Sequence, residues 1–269
     1  DDCRGHSSMR TIAAIQARLG STRLPNKVLA DLNGLPMVLQ IARRLAASDA
    51  IDAVILATTT DASDDALADA VRAHGLGVHR GAVDDLVERL YGAIEAFDAQ
   101  VLVRVWGDCP CVDPGVVTRA VNALKAHDHL FVSTMRPPGR TLPLGLDIEV
   151  YRRECLAAIL DGSSDPFYRE FPVEYVNREV DGERVGGIRH HEDVSGLQIT
   201  VDYSEDLMFA RAAFTALDRP DHVFTVDELV AWMTSDAGQA ALPQGLARNA
   251  DYLTKKEAHQ APPTGATSS

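Results

Sequence analysis

A chain of 269 residues, 46% hydrophobic and 24% charged, carries enough apolar material for one sizeable core, which excludes wholesale disorder. Its formal net charge of −13 repels phosphate backbones and excludes a general nucleic-acid binder, while a local basic cluster could still hold a small anion. No apolar run reaches the ~18 residues of a membrane span and no secretory pattern precedes Met9, so a cytoplasmic protein with no membrane partner is expected, residues 1–8 being leader or added sequence.

Short β-rich runs alternate with helical patterns, which predicts an α/β fold with a mostly parallel sheet. Residues 11–15 read as a buried strand, 37–45 as a helix, 53–57 as a second strand, and 64–73 as an acid-capped helix closed by Gly75. A short strand is expected near Val78, a helix over 84–97, and the best central strand over 101–106. A helix over 115–126 and a strand over 130–134 come next. The rhythm then breaks, because residues 136–145 hold Pro137, Pro138, Gly139 and Pro143 and read as loop. Beyond it, 148–151 reads as extended, 167–176 as helix, 183–191 as a polar strand and 197–201 as a buried strand. Helices are expected over 205–217 and, with Thr225 as its cap, 225–233. One domain over 9–243 is expected, with 136–195 as an excursion for substrate or dimer contacts. Residues 244–269 form a tail whose polar end, from about Lys255, is expected to be disordered.

Cys3, Cys109, Cys111 and Cys155 are scattered and form no disulfide framework. The Cys109/Cys111 spacing is too tight for a zinc pair and lacks a second pair, so both read as small loop residues.

Two patterns carry chemistry. Directly after the first strand, Ala17 to Lys27 offers Arg18, Arg23 and Lys27, the hydroxyls of Ser21 and Thr22, and Gly20. A βα turn at the carboxyl edge of a parallel sheet is where ligands usually bind, and cations with backbone amides are what a triphosphate needs. The run has neither the P-loop nor the dinucleotide spacing, and on residues alone it is equally a solvated connection. The second pattern is Asp108 just past the 101–106 strand and Asp202 just past 197–201. Two carboxylates at the same sheet edge as a basic loop suit magnesium, a hard ion that prefers oxygen ligands and substrate phosphates. Taken singly, Asp108 is also a turn residue before Pro110, and Asp202 a cap for the helix near Ser204.

Six blocks occur in an order that resembles the cytidylyltransferases of the spore-coat polysaccharide type, related to CMP-Kdo and CMP-sialate synthetases. They are IQARLGSTRLPNKVL, VILATTT, GAVDDLVERLYGA, VRVWGDCPCVDP, LPLGLDIEVY and ITVDYSEDL, spread over residues 10–234. The resemblance implies a Rossmann-like nucleotidyltransferase fold, a homodimer, and a CTP-dependent enzyme that attaches CMP to a small acidic, sugar-acid-like acceptor. It implies that Arg18 and Lys27 hold the phosphates and that Asp108 and Asp202 bind Mg2+, these four being the catalytic set. It further places Ala14, Gln16, Ala17, Ser21, Thr22, Arg23, Thr58, Thr59, Gly81 and Arg104 at the nucleotide, and Arg136, Asp147, Glu149 and Arg169 at the acceptor. The family often has arginine at the positions of Leu144 and Gln198 and histidine at that of Phe171, so this chain departs on the acceptor side. A phosphonate or phosphate acceptor, a UTP-type enzyme acting on a sugar phosphate, and a non-catalytic nucleotide-binding homologue are the alternatives. His190 and His191 with Glu192 and Asp193 read as a solvated strand end or, less simply, an acceptor or metal cluster, and Asp84 and Asp85 as a helix N-terminus.

Overall fold

The computed structural model describes residues 9–135 and 139–243, with Lys255, Lys256 and His259. Strand β1 (Thr11–Gln16) leads through the basic loop and a short 3-10 turn at Lys27–Leu29. A small hairpin comes next, β2 (Asp31–Leu32) and β3 (Leu35–Pro36), and then α1 (Met37–Ala46). The alternation continues with β4 (Ala53–Thr59), α2 (Asp65–Ala73), β5 (Gly77–Gly81), α3 (Leu86–Ala96), β6 (Val101–Trp106) and α4 (Pro114–Ala126). The second half adds β7 (Phe131–Ser133), β8 (Glu149–Arg152), α5 (Arg153–Gly162), α6 (Pro166–Glu170), α7 (Pro172–Glu179) and β9 (Val185–Gly187). Helices α8 (Ser204–Leu217), α9 (Val226–Thr234) and α10 (Asp236–Ala241) close it.

The main sheet runs β5-β4-β1-β6-β8-β7-β9. Its first four strands are mutually parallel, and β8 is antiparallel to both β6 and β7. The central strands are buried on both faces, and successive side chains feed opposite layers, as the two-residue period of a strand requires. In β1, Ala13 and Ile15 join the core shared with α1, α4, α8 and α9, whereas Ile12 and Ala14 join the core shared with α3 and α5. Gln16 pairs with Trp106 in the β1–β6 register, so both strands end at the same level. Gly107 N–H donates to the Gln16 carbonyl at 2.9 Å, and a Cβ at Gly107 would meet the Ala17 Cβ at 2.7 Å. Glycine there lets the two ligand-bearing turns emerge side by side.

Several expectations change. The segment 197–201 is not a sheet strand: it is extended, with one bridge between Gln198 and Leu144, and Val201 N–H bonded to the Asp108 carbonyl at 2.9 Å. Of the polar strand over 183–191, only Val185–Gly187 pairs, at the sheet edge beside β7. The helix over 167–176 is two helices, because Pro172 has no N–H to continue the ladder and instead opens α7. Helices α5 and α10 and the β2–β3 hairpin have no counterpart among the expected elements. The three described residues of the tail lie against α6 and α7. Lys255 pairs with Glu170 at 2.7 Å, Lys256 with Glu174 at 2.6 Å, and the His259 ring stacks on Phe167 at 4.1 Å. Among the described residues, no helix is long and apolar enough to cross a membrane.

Candidate active site

A cleft of about 900 Å³ opens at the carboxyl ends of β1 and β6. Gln16, Ala17, Arg18, Ser21, Thr22, Arg23 and Lys27 line it from the first loop, and Asp108 from the turn after β6. The basic loop thus lies at the sheet edge expected for it. Sequence reasoning did not foresee the opposite contributions of Val83, Leu86 and Arg89 around the start of α3, of Pro166 and Glu170 from α6, or of Tyr203 and Lys255.

The loop is held by an aspartate that the sequence showed only as a helix cap. Asp64 is buried; it accepts from Leu19 N–H at 2.7 Å through one oxygen and from the Thr59 hydroxyl and N–H through the other. That carboxylate ties the loop to the end of β4. Thr59 thus serves the loop from behind, and neither Thr58 nor Thr59 lines the cleft.

At the centre, the Lys27 ammonium donates to Asp108 at 3.0 Å, to Asp202 at 3.1 Å and to the Val201 carbonyl at 2.8 Å. Arg23 adds a second cation to Asp202 at 2.8 Å and lies over the Tyr203 ring, 5.4 Å from its centroid. Burial disfavours the charged ammonium of Lys27, but the two carboxylates outweigh it and raise its pKa above the ordinary lysine value. The carboxylates therefore converge on one point from turns ninety-four residues apart, close enough to share a single cation. Two carboxylate oxygens are a donor set that fits magnesium, which takes one or two protein carboxylates and fills its remaining positions with water and substrate phosphates. Arg18 is exposed at the cleft wall and makes no hydrogen bond or ion pair among the described residues, which leaves its fork for a ligand.

Arg104 does not reach the cleft. Its guanidinium is buried, donating to Gln16 at 2.7 Å and Glu149 at 2.6 Å while lying 4.2 Å from the Trp106 ring centroid. It therefore braces two cleft residues from below. Gly81 also lies behind the wall: a Cβ there would meet Arg89 atoms at 2.9 Å, so its role is to admit α3. Arg89 donates to the Ala82 carbonyl at 2.8 Å, and its buried Nε has no partner among the described residues. Burial, with Arg18 and Arg104 nearby, lowers its pKa. Ala14 is fully buried inside the sheet.

The acceptor-side residues also lie elsewhere. Glu149 is fully buried in β8, taking Arg104 and the Tyr151 hydroxyl, the latter at 2.7 Å. Asp147 is buried and paired with Arg140; burial pushes its carboxyl pKa up against the pull of that arginine. Arg169 bonds the Ser163 carbonyl at 2.9 Å and pairs with Asp85 at 3.1 Å, joining α6 to α3. None of these three lines the cleft. Arg136 lies outside the described residues. Two of the family departures, Leu144 and Gln198, face each other across one bridge. Cys109, Cys111 and Cys155 are buried as free thiols, and burial holds Cys111 at a pKa of about 12, which suits packing rather than metal binding.

Comparison with known proteins identifies a family. The cytidylyltransferase family profile matches residues 12–217. An uncharacterised protein of Methanocaldococcus jannaschii is 30% identical over 200 residues, 74% of this chain and 80% of that protein. The 3-deoxy-manno-octulosonate cytidylyltransferases of Mesorhizobium japonicum and Rhodospirillum rubrum are 39% and 40% identical over 119 and 131 residues. Those matches span 42% and 46% of this chain and only about half of each relative, 47% and 50%. Among solved structures, a cytidylyltransferase from Leptospira borgpetersenii superposes with a TM-score of 0.80 at 24% identity, covering 89% of this chain and 99% of that one. A CMP:2-keto-3-deoxy-manno-octonic acid synthetase complexed with CTP superposes at 0.59 with 18% identity, covering 77% and 99%. The chain belongs to the cytidylyltransferase family.

Proposed function

We propose that this cytidylyltransferase, of the spore-coat and sialate-synthetase type, uses magnesium and CTP to place CMP on a small anionic acceptor of the sugar-acid kind, releasing pyrophosphate. The observation that carries the reading is the meeting of Lys27, Asp108 and Asp202 at one point of a cleft floored by the basic loop. The relatives that act on 3-deoxy-manno-octulosonate support a keto-sugar acid as the first acceptor to try.

In this scheme an acceptor oxygen attacks the α-phosphorus in line, and the bond to the β-phosphate oxygen breaks. Arg18 and Lys27 oppose the charge that grows on the departing pyrophosphate. Asp108 and Asp202 would hold the magnesium ion, which when bound neutralises phosphate charge and lowers the pKa of an acceptor hydroxyl. Asp64 keeps the loop in position, and Arg104 keeps Gln16 and Trp106 in position, so the residues act mainly by placement and charge. The enzyme works as a homodimer, as light scattering after size-exclusion chromatography would register.

The test is pyrophosphate release from CTP with magnesium and a panel of acceptors: 3-deoxy-2-keto sugar acids, simple phosphonates and phosphate monoesters. Release with the sugar acids supports the full reading, and release only with phosphonates or phosphates replaces the acceptor. Turnover with UTP in place of CTP overturns the donor. Magnesium-dependent CTP binding with no release from any acceptor points to a non-catalytic homologue.

A further inference from the structure

His190 and His191 stand apart from the cleft, and the structure gives them a partner absent from their own segment. Adjacent side chains of an extended chain point to opposite sides. Here the backbone bends at His191, and the two imidazoles lie on the same side with ring centroids 4.2 Å apart. Both face Asp227 at the start of α9: His190 Nε2 is 2.7 Å from its Oδ1, and His191 Nδ1 is 4.0 Å from it. One ligand atom from each of the three residues falls within 4.8 Å of the others. Glu192 and Asp193, the neighbours in sequence, are not part of this group.

We propose that His190, His191 and Asp227 form a binding site for a divalent transition cation of the zinc class. Two imidazoles and one carboxylate are a borderline donor set that favours zinc over magnesium, which prefers oxygen alone. Three protein ligands leave a fourth tetrahedral position for water. The second ring nitrogen of His190, Nδ1, lies 3.0 Å from the Glu192 carbonyl and 3.3 Å from the Glu192 amide; with a metal on Nε2, the Nδ1–H would donate to that carbonyl, as in most metal-bound histidines. Its ring is buried, and its backbone N–H donates to the Thr141 hydroxyl at 2.8 Å, so the inner ligand is fixed. Asp227 is placed by the capping box of α9, in which Thr225 and Glu228 satisfy each other's backbone amides. His191 and Asp227 are two-thirds exposed, which leaves a path for the ion and room to adjust. Ligand bonds near 2.0–2.1 Å put tetrahedral donor atoms about 3.3 Å apart. The His190–Asp227 separation therefore has to widen by roughly half an ångström, within reach of an exposed carboxylate. The ion would clamp the end of the excursion to α9.

The test is titration of the 269-residue chain with zinc chloride by calorimetry, with the thermal midpoint monitored in parallel. Asp108 and Asp202 could also take zinc, so the titration is repeated with excess magnesium and with Asp108→Asn. One zinc ion per chain, retained in both controls and lost in His191→Ala and in Asp227→Asn, is the expected result. Those two side chains are exposed, so the variants fold, and their apo thermal midpoints should match that of the parent. A zinc-dependent rise in thermal midpoint should vanish with them. No saturable binding by the parent chain, or binding that survives either substitution, overturns the site. The outcome is independent of whether CTP is the donor.

Discussion

Lys27 and Arg23 hold their charges inside the cleft against Asp108 and Asp202, whereas Arg104, Glu149, Asp147 and Arg169 hold theirs against partners outside it. Both groups contain basic side chains and carboxylates, and both suggested ligand contacts when read as sequence. The difference lies in whether the fold leaves each side chain open to the cleft or closes it in against an internal partner. After β1 and β6 the chain leaves a parallel sheet at its carboxyl edge, and polar groups there face the opening. Glu149 opens the antiparallel strand β8 opposite Arg104, two positions short of the Trp106 end of β6, and its side chain is fully buried there. A buried carboxylate must then find an internal partner. Charge in a sequence marks a site only when the fold leaves the side chain open to the cleft.

The largest expected effect sharpens that contrast. Glu149→Ala strands the Arg104 guanidinium and the Tyr151 hydroxyl in the core. Breaking a buried pair in this way typically destabilises by about 3–5 kcal/mol, read as a lower urea midpoint. Near-parental stability with lost turnover would instead make Glu149 an acceptor ligand and erase the distinction between the two regions.

Asp108→Ala is the counterpart on the cleft side. Its side chain is 29% exposed and its partner Lys27 keeps Asp202 and the Val201 carbonyl, so the fold should persist. Loss of one preorganised charge at the reacting phosphate lowers turnover by about 10²–10³-fold. Near-normal pyrophosphate release would remove Asp108 from the proposed metal site.

Legibility in the sequence divides along the same line. Strands β1, β4 and β6 show long apolar runs, so the parallel centre of the sheet and the loop behind β1 could be read from periodicity and position. Asp64 could not, because its bond to Leu19 N–H joins residues forty-five apart and leaves no local pattern. Tyr203 and Lys255 reach the cleft only through tertiary packing. The run at 197–201 is apolar enough for a strand, yet its backbone bonds go to Leu144 and Asp108 rather than to a ladder. Asp202 still arrives where a strand end would have put it. The resemblance supplied the cytosine, which no spacing argument contains.

A smaller effect is expected in pH dependence. Burial raises the folded-state pKa of Asp147 above the ordinary 3.8, despite Arg140. The folded state then holds this proton more tightly than the unfolded one, so the group's contribution to stability is fully present below about 3.8 and is lost as pH rises through the raised value. Asp147→Asn removes the titration. The urea midpoint of the variant relative to the parent should therefore improve as pH rises from about 3.8 through the raised value and level off above it. A difference that does not change with pH would show that the Arg140 pair keeps Asp147 ionised throughout, as an acceptor-side carboxylate would need to be.

Arg169→Ala is expected to do least. Its ion pair with Asp85 is partly solvated, the two side chains being 18% and 29% exposed, and water screens such a pair. Pairs near the surface typically contribute up to about 1 kcal/mol, and the carbonyl bond to Ser163 adds a similar modest amount. The variant should lose a small part of its urea stability, and KM for both CTP and acceptor should stay within a few-fold of the parent. Because α6 supplies Pro166 and Glu170 to the cleft wall, any change in activity should come through loosening of that wall and affect both substrates alike. A selective rise in acceptor KM at unchanged stability would place the guanidinium on the acceptor after all. The inward-turned set would then contain a residue that swings outward on binding, and the contrast between the two regions would describe the unliganded chain alone.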